Sequence, residues 1–312
     1  MNRLPERLHI YQNHHIDSTR WDSFKPRADD VVISTSYKSG TTWMQEIALQ
    51  LVHHGRAVPW RDDVSPWFER TRRPLDEVLQ ELEAQTSRRV IKSHLALDGI
   101  LYFPQVKYII VGRDARDVAM SLWNHYSNYT EKFYIDLNHS PRLIGPPIPH
   151  SPPTIHEFFQ NWITRGWFSW ESEGYPFWGN LHHTQSWWNY RHLDNILFVH
   201  FADLLRDVRG EMARIAKFLN ADVTPEEIES IATRVDLDTM RNAEIERDKD
   251  GGLTDSFKGG AKTFYFKGTN GRWKTVLGDG DLALYRQAVR RVLTPDCAQW
   301  LENGNDSTKS EK

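Results

Sequence analysis

The chain has 312 residues, 39 Lys and Arg against 42 Asp and Glu for a net charge of −3, and one cysteine, Cys297. That charge balance argues against a general nucleic-acid binder, and one cysteine precludes an internal disulfide and fits a reducing, intracellular setting. No apolar run reaches the roughly 18 residues of a membrane span, and "MNRLPERLHIYQNHH" has no signal-peptide core, so the expected location is the cytoplasm.

Short β-branched runs alternate with helical stretches along the chain. "DVVIST" reads as a strand and "TTWMQEIALQLVHHG" as a helix, with an apolar stripe at Trp43, Met44, Ile47, Ala48, Leu51 and Val52. Gly55 is the expected stop, with His53 and His54 in the last turn. "RRVIKSH" and "VKYIIVGR" are the second and third strands. "DARDVAMSLWNHY" is a helix with Asp114 as N-cap and Asp117 in the capping-box position. "NILFVHF" is a fourth strand, and helical "EMARIAKFLN" follows. This alternation predicts an α/β fold: a central parallel sheet with helices on both faces, in one domain over residues 1–302. Residues 136–153 hold six prolines and cannot be one regular element. Residues 248–263, rich in Gly and Lys, read as mobile, and residues 303–312 as a disordered tail. The 13 tryptophans could build a core or line an apolar pocket. The pairs His14–His15 and His182–His183 lack a metal-binding spacing and read as surface or packing residues.

In parallel α/β sheets, ligands bind beyond the carboxyl ends of the strands. Lys38 follows the first strand, Lys92, Ser93 and His94 close the second, and Arg113 closes the third. Basic and titratable groups therefore gather at one edge, which should attract an anion with more than one charged group. Ser39, Gly40, Thr41, Thr42 and Trp43 lead into a helix N-terminus whose amides could cradle a phosphate. The same spacing also fits an ordinary Ser/Thr-capped helix. A nucleoside-triphosphate loop needs Gly-Lys-Ser/Thr, but here Lys38 precedes Gly40. Arg113 also stands where a magnesium-binding carboxylate would be wanted. Both features speak against an NTP-dependent kinase or ATPase, the rival from another class.

"TSYKSGTTW", "IKSHLAL", "VGRDARDVAMSLWNHY" and "FKGTNGRWK" resemble, in order, four signature segments of the cytosolic-type sulfotransferases. The likeness spans roughly residues 20–300. It implies a P-loop-like sheet and, without a metal, transfer of a sulfuryl group from 3′-phosphoadenosine 5′-phosphosulfate (PAPS) to a small-molecule hydroxyl. By this resemblance Lys38 stabilises the leaving oxygen, Lys92 holds the sulfonate and His94 is the general base. Ser39 to Trp43 hold the 5′-phosphate, with Trp43 stacking on adenine. Arg113, Ser121, Lys267 and Gly268 contact the 3′-phosphate. Phe201 and Leu237 border the adenine, with Val235 near them. Phe266 stands in place of the family's common Arg, a lost charge that Arg272 or Lys262 could offset. Tyr37 replaces a common proline and borders the acceptor. Trp67, Phe68, Trp123 and Tyr126 are further expected acceptor contacts, and residues 136–153 a lid. The dimer motif is not matched by "WKTVLGDGDLALY", which leaves the oligomeric state open. Three segments, "WDSFKPRADDVVIS", "VSPWFERTRRPLDEV" and "RVIKSHLALDGI", resemble bacterial members, some acting on glycolipids. The expected acceptor is a phenol or alcohol, with a glycolipid or lipid alcohol as the alternative. A non-enzymatic sensor of the desulfonated nucleotide is disfavoured because Lys38 and His94 are both present.

Overall fold

The computed structural model describes residues 4–56, 58–248 and 252–305. Four parallel strands form the sheet in the order β2-β1-β3-β4: β1 Val31–Thr35, β2 Val90–Ser93, β3 Lys107–Gly112 and β4 Ile196–His200. The expected single α/β domain with a central parallel sheet is what forms. The N-terminal half supplies α1 Thr41–Val52, α2 Arg61–Val64, α3 Leu75–Ala84, α4 Ala115–Ser127, α5 Glu131–Asn138, α6 Ile155–Thr164 and α7 Asn180–Trp188. The C-terminal half supplies α8 Phe201–Arg206, α9 Val208–Leu219, α10 Pro225–Arg234, α11 Leu237–Arg247, α12 Gly252–Ser256, α13 Gly260–Phe264, α14 Asp279–Val292 and α15 Pro295–Asn303.

Strand alternation sorts the core into two layers. Val31, Ile33, Ile109 and Val111 point to one face, where Met44, Ile47 and Leu51 of α1 and Met212 and Ile215 of α9 cover them. Val32, Ile91, Tyr108 and Ile110 point to the other, under Val118 and Leu122 of α4, Phe159 and Trp162 of α6, and Trp187 of α7. Each such side chain, once fully buried, contributes roughly 1.5–3 kcal/mol of hydrophobic stabilisation. Because β1 lies between β2 and β3, the chain reverses its direction of travel across the sheet there. The crevice beyond their carboxyl ends is where such a sheet binds ligands.

Several local expectations are corrected. α1 ends at Val52, before Gly55, because His54 already adopts φ 53° and turns the chain. Asp114 does cap α4, through the Arg116 amide, but Asp117 does not complete a capping box. Its carboxylate instead accepts the amides of Gly271 and Arg272, tying α4 to the 266–272 loop. Of the two readings of the histidine pairs, packing holds for His14, His15 and His183, which are buried. The Gly- and Lys-rich stretch forms α12 and α13, with the Asp248 carboxylate accepting the amides of Leu253 and Thr254. At the C-terminus, Asn303 closes α15 and Asn305 donates to Asp203. Residues 249–251 and 306–312, parts of the segments expected to be mobile and disordered, lie outside the described residues.

Candidate active site

A cavity of about 640 Å³ opens beyond the carboxyl ends of the strands. Three loops and a helix build its wall. After β1, Lys38 takes a left-handed conformation at φ 66° and Gly40 another at φ 107°, which turns the chain sharply into α1. A Cβ on Gly40 would stand 2.8 Å from Cδ2 of Phe201, so glycine is required both for the φ and for this close approach. Gly40 offers no side-chain cap, whereas α4, α5, α9 and α10 are each capped by an Asp or Thr oxygen. The α1 ladder begins with Met44 N–H on the Gly40 carbonyl. The amides of Thr41, Thr42 and Trp43 precede it and have no partner within the helix, at the positive end of the helix dipole, and these three residues line the cavity. Ser39 differs from the expectation: it is buried, its amide bonds to the Ser36 carbonyl and its hydroxyl to Ser36 Oγ, and it does not line the cavity.

His94 follows β2. Its Nδ1 lies 2.8 Å from the Thr35 carbonyl. A carbonyl only accepts, so Nδ1 carries the proton and Nε2 keeps its lone pair. Nε2 is buried and has no hydrogen-bond partner among the described residues. Burial, reinforced by Lys92, holds the imidazole well below its ordinary pKa, hence neutral. Trp67 stands edge-on to this ring, with centroids 4.7 Å apart.

Lys38 and Lys92 both line the cavity. Burial, then Lys92 and Arg113, lowers the Lys38 pKa to about 7, and burial lowers that of Lys92 to about 8. The ammonium of Lys38 sits 4.8 Å from the Phe264 ring centre and 3.3 Å from Nδ1 of His125. Arg113 donates to the carbonyls of Lys38 and Thr269 and to Asn270 Oδ1, at 3.2, 2.9 and 3.0 Å, with its guanidinium over the Phe201 ring. It thus clamps the lysine loop to the 266–272 loop, and only part of its fork remains for a ligand. Ser121, Lys267, Gly268, Thr269 and Arg272 lie on the same wall. Phe266 carries the guanidinium of Arg272 4.6 Å from its ring centre, so an Arg does stand beside the position where the family's charge is missing. Trp43, Phe201 and Leu237 line an apolar flank, while Val235 is buried in the core away from the cavity.

On the acceptor side, Tyr37 and Trp67 line the cavity as expected. Phe68, Trp123 and Tyr126 do not. Phe68 packs in the core on Trp21 and Phe24, and Tyr126 packs on Phe177 with its hydroxyl bonded to the Pro149 carbonyl. The physical reason on α4 is helical spacing. Ser121 and His125 are four apart and share a face, while Trp123 is turned away. His125 was therefore the residue to take from that helix, and the Ser121+4 position was the available signal. Tyr265, Phe264, Arg61 and Arg70 also line the cavity without having been singled out, because they depend on distant segments folding together. None of residues 136–153, the expected lid, lines it; within that stretch Asn138 bonds the Ile148 amide and carbonyl. The rim opposite is instead built by α12, α13 and the loop after them. Among the described residues no helix is long and apolar enough to cross a membrane.

The sulfotransferase domain family model matches residues 28–294. A glycolipid sulfotransferase of Mycobacterium bovis is 31% identical over 95% of this chain and 94% of its own length. Cytosolic sulfotransferase 9 of Arabidopsis thaliana is 28% identical over 82% of this chain and 75% of its own. Among solved structures, a retinol dehydratase in complex with androsterone and the inactive cofactor PAP superposes with a TM-score of 0.70 at 20% identity, covering 90% of this chain and 87% of that one. A mouse sulfotransferase complexed with PAP gives 0.65 at 19% identity, covering 91% and 92%.

Proposed function

This chain belongs to the sulfotransferase family, and from that premise we propose that it moves a sulfuryl group from PAPS to the hydroxyl of a small phenol or alcohol. The observation that supports this best is the unpartnered lone pair of His94 Nε2, on a residue that lines the same cavity as Thr41, Thr42, Trp43, Lys38 and Lys92. The residues fit the donor in pieces. Thr41, Thr42 and Trp43 present amides to its 5′-phosphate, and Gly40 lets the backbone approach. Arg113, Ser121, Lys267, Gly268 and Arg272 surround the 3′-phosphate, and Trp43, Phe201 and Leu237 flank the adenine.

His94 takes the acceptor proton on Nε2 as the acceptor oxygen attacks sulfur. Its Nδ1–H stays on the Thr35 carbonyl, which keeps the ring oriented. Lys38 and Lys92 neutralise the charge that develops as the bond between sulfur and the bridging oxygen breaks. The products are a sulfate ester and the desulfonated nucleotide.

A glycolipid acceptor is the second reading, and the mycobacterial relatives favour it. Nucleotide and acceptor must share about 640 Å³, so a lipid would enter with its head group only. A screen with sulfur-labelled PAPS against phenols, alkyl alcohols, amines and glycolipids tests the proposal. Label transfer to a phenol or alcohol is expected. Nucleotide binding with no turnover of any acceptor would sink the enzyme reading and favour a nucleotide sensor.

A further inference from the structure

Residues 66–71 run as an unlabelled edge beside β2. The Lys92 amide donates to the Pro66 carbonyl and the Phe68 amide to the Lys92 carbonyl, both at 3.0 Å. On its other side the Asp17 amide donates to Glu69 and the Thr71 amide to His15. The backbone that carries Arg70 is therefore pinned from two directions. Phe68 goes into the core, while Trp67 and Arg70 face the cavity.

The neighbouring carboxylate, Glu69, is fully engaged elsewhere. It accepts the His94 amide at 2.6 Å and the Trp67 indole at 2.7 Å, besides Ser93 Oγ and Trp21. Arg70 is left without an ion pair among the described residues, and its buried Nε has no hydrogen-bond partner. Its guanidinium lies 5.3 Å from the centre of the Trp67 ring. Two other arginines on the wall have carboxylate partners: Arg61 meets Glu244 and Asp62, and Arg73 meets Glu81. The Asp62 carboxylate, which also lines the cavity, is 3.2 Å from Arg61 Nε. Arg72, exposed above Phe133, adds like charge beside Arg70, while the charge of Asp62 reaches Arg70 without a contact between them.

A guanidinium stays protonated, and Arg70 is half-buried with its Nε out of water and no carboxylate in contact, which is costly. Its planar fork matches the two oxygens of a carboxylate, sulfate or phosphate. Lys92 of β2, assigned to the transferring sulfonate, lies 5.0 Å from the centre of the same Trp67 ring, while the groups assigned to the donor's phosphates stand after β1, at the end of β3, on α4 and in the 266–272 loop. Arg70 stands beside β2 instead, across the Trp67 ring that abuts His94.

Resting on the sulfotransferase reading, we propose that the acceptor carries an oxyanion group besides the hydroxyl that is sulfated, and that Arg70 binds that group. Arg70 is then a specificity determinant that selects an acidic phenol or alcohol over a neutral one.

The test compares 4-hydroxybenzoate, 4-hydroxyphenylacetate and 3-(4-hydroxyphenyl)propionate with their methyl esters, which place or remove the charge at three distances. For at least one pair the wild type should favour the acid in kcat/KM by about tenfold or more, the scale of one charge-assisted hydrogen bond. In Arg70→Met that acid-to-ester ratio should fall to about one, and Arg70→Lys should keep part of it. Calorimetric binding of the same acids and esters to the PAP-loaded protein gives a readout that needs no turnover. No acid preferred over its ester in either measurement, or a preference that survives in a folded Arg70→Met protein, overturns the proposal. Failure to bind PAP at all would instead strike the sulfotransferase reading.

Discussion

The Nζ of Lys38 lies 3.3 Å from Nδ1 of His125, and Nε2 of the same ring lies 3.3 Å from the Tyr37 hydroxyl. With Lys38 charged, its ammonium donates to Nδ1, so Nε2–H must donate to the tyrosine oxygen. One buried imidazole thus sets the direction of the lysine and of the residue just before it. His125→Phe should lower kcat about tenfold with a smaller change in donor KM, since positioning errors act on the transition state. His125→Asn, whose amide oxygen can still accept from Lys38, should retain more of it. Steady-state kinetics of the two variants check this, and equal loss in both would refute a role in positioning.

His94→Ala should reduce turnover by about 10²–10⁴-fold, the range for loss of a general base, while PAP affinity stays close to wild type. A fully active variant would refute the base. Because His94 is held well below its ordinary pKa, kcat/KM of the wild type should not fall at the usual histidine pH of about 6.5. Such a fall in the wild type, absent from a variant with His94 replaced, would show a base of ordinary pKa.

Gly40→Ala places a Cβ 2.8 Å from the Phe201 ring at φ 107°. Strain of this kind costs roughly 1–3 kcal/mol and falls on the α1 amides. PAP affinity should drop about tenfold or more. Calorimetry gives the number, and an unchanged affinity would remove the amide cradle from the donor site.

Donor binding should weaken as pH rises. In the free protein Lys38 and Lys92 lose their protons at about 7 and about 8. An anionic donor binds their charged forms and so raises both values in the complex. Protons are therefore taken up on binding between about pH 7 and 9, and each lysine can cost up to about one decade of affinity per pH unit across that window. PAP titrations in buffers of different ionisation enthalpy measure the uptake. A flat affinity from about pH 6.5 to 9 would show that neither lysine meets the donor's charge.

The buried histidines make an acid limit to stability. Burial holds His14 at about 4 and His183 at about 3 against an ordinary 6.5. These are depressed values, so the unfolded chain binds the protons first, and stability falls as pH drops below about 6.5. His14 alone accounts for up to about 3 kcal/mol of that loss by pH 4. Thermal melts from about pH 7.5 to 4.5 should show Tm falling steadily, and His14→Gln should flatten the slope.

Periodicity and local chemistry were enough to write the four strands, α1, α4 and α9 into the sequence. Alternation of period 2 and stripes of period 3.6 are properties of consecutive residues. The same holds for Lys38, Gly40, Lys92, His94 and Arg113, because a strand's end is visible locally and a parallel sheet collects such ends at one edge. What the sequence alone did not show is where a side chain's partners come from. Asp117 looked like half of a capping box until the Gly271 and Arg272 amides were brought to it from more than 150 residues away. Ser39 looked like part of a phosphate cradle, yet its amide had already been taken by Ser36. Phe68, Trp123 and Tyr126 were aromatic and near the right motifs, but burial on the sheet and the turn of a helix point them into the core. Arg70 needed the opposite kind of knowledge: its adjacent Glu69 is spent on His94 and Trp67, so its charge is left facing the cavity. A linear sequence specifies which groups exist and on which face of an element they lie. Only packing of distant segments decides which of those groups remain unpaired, and it is the unpaired ones that are left to bind.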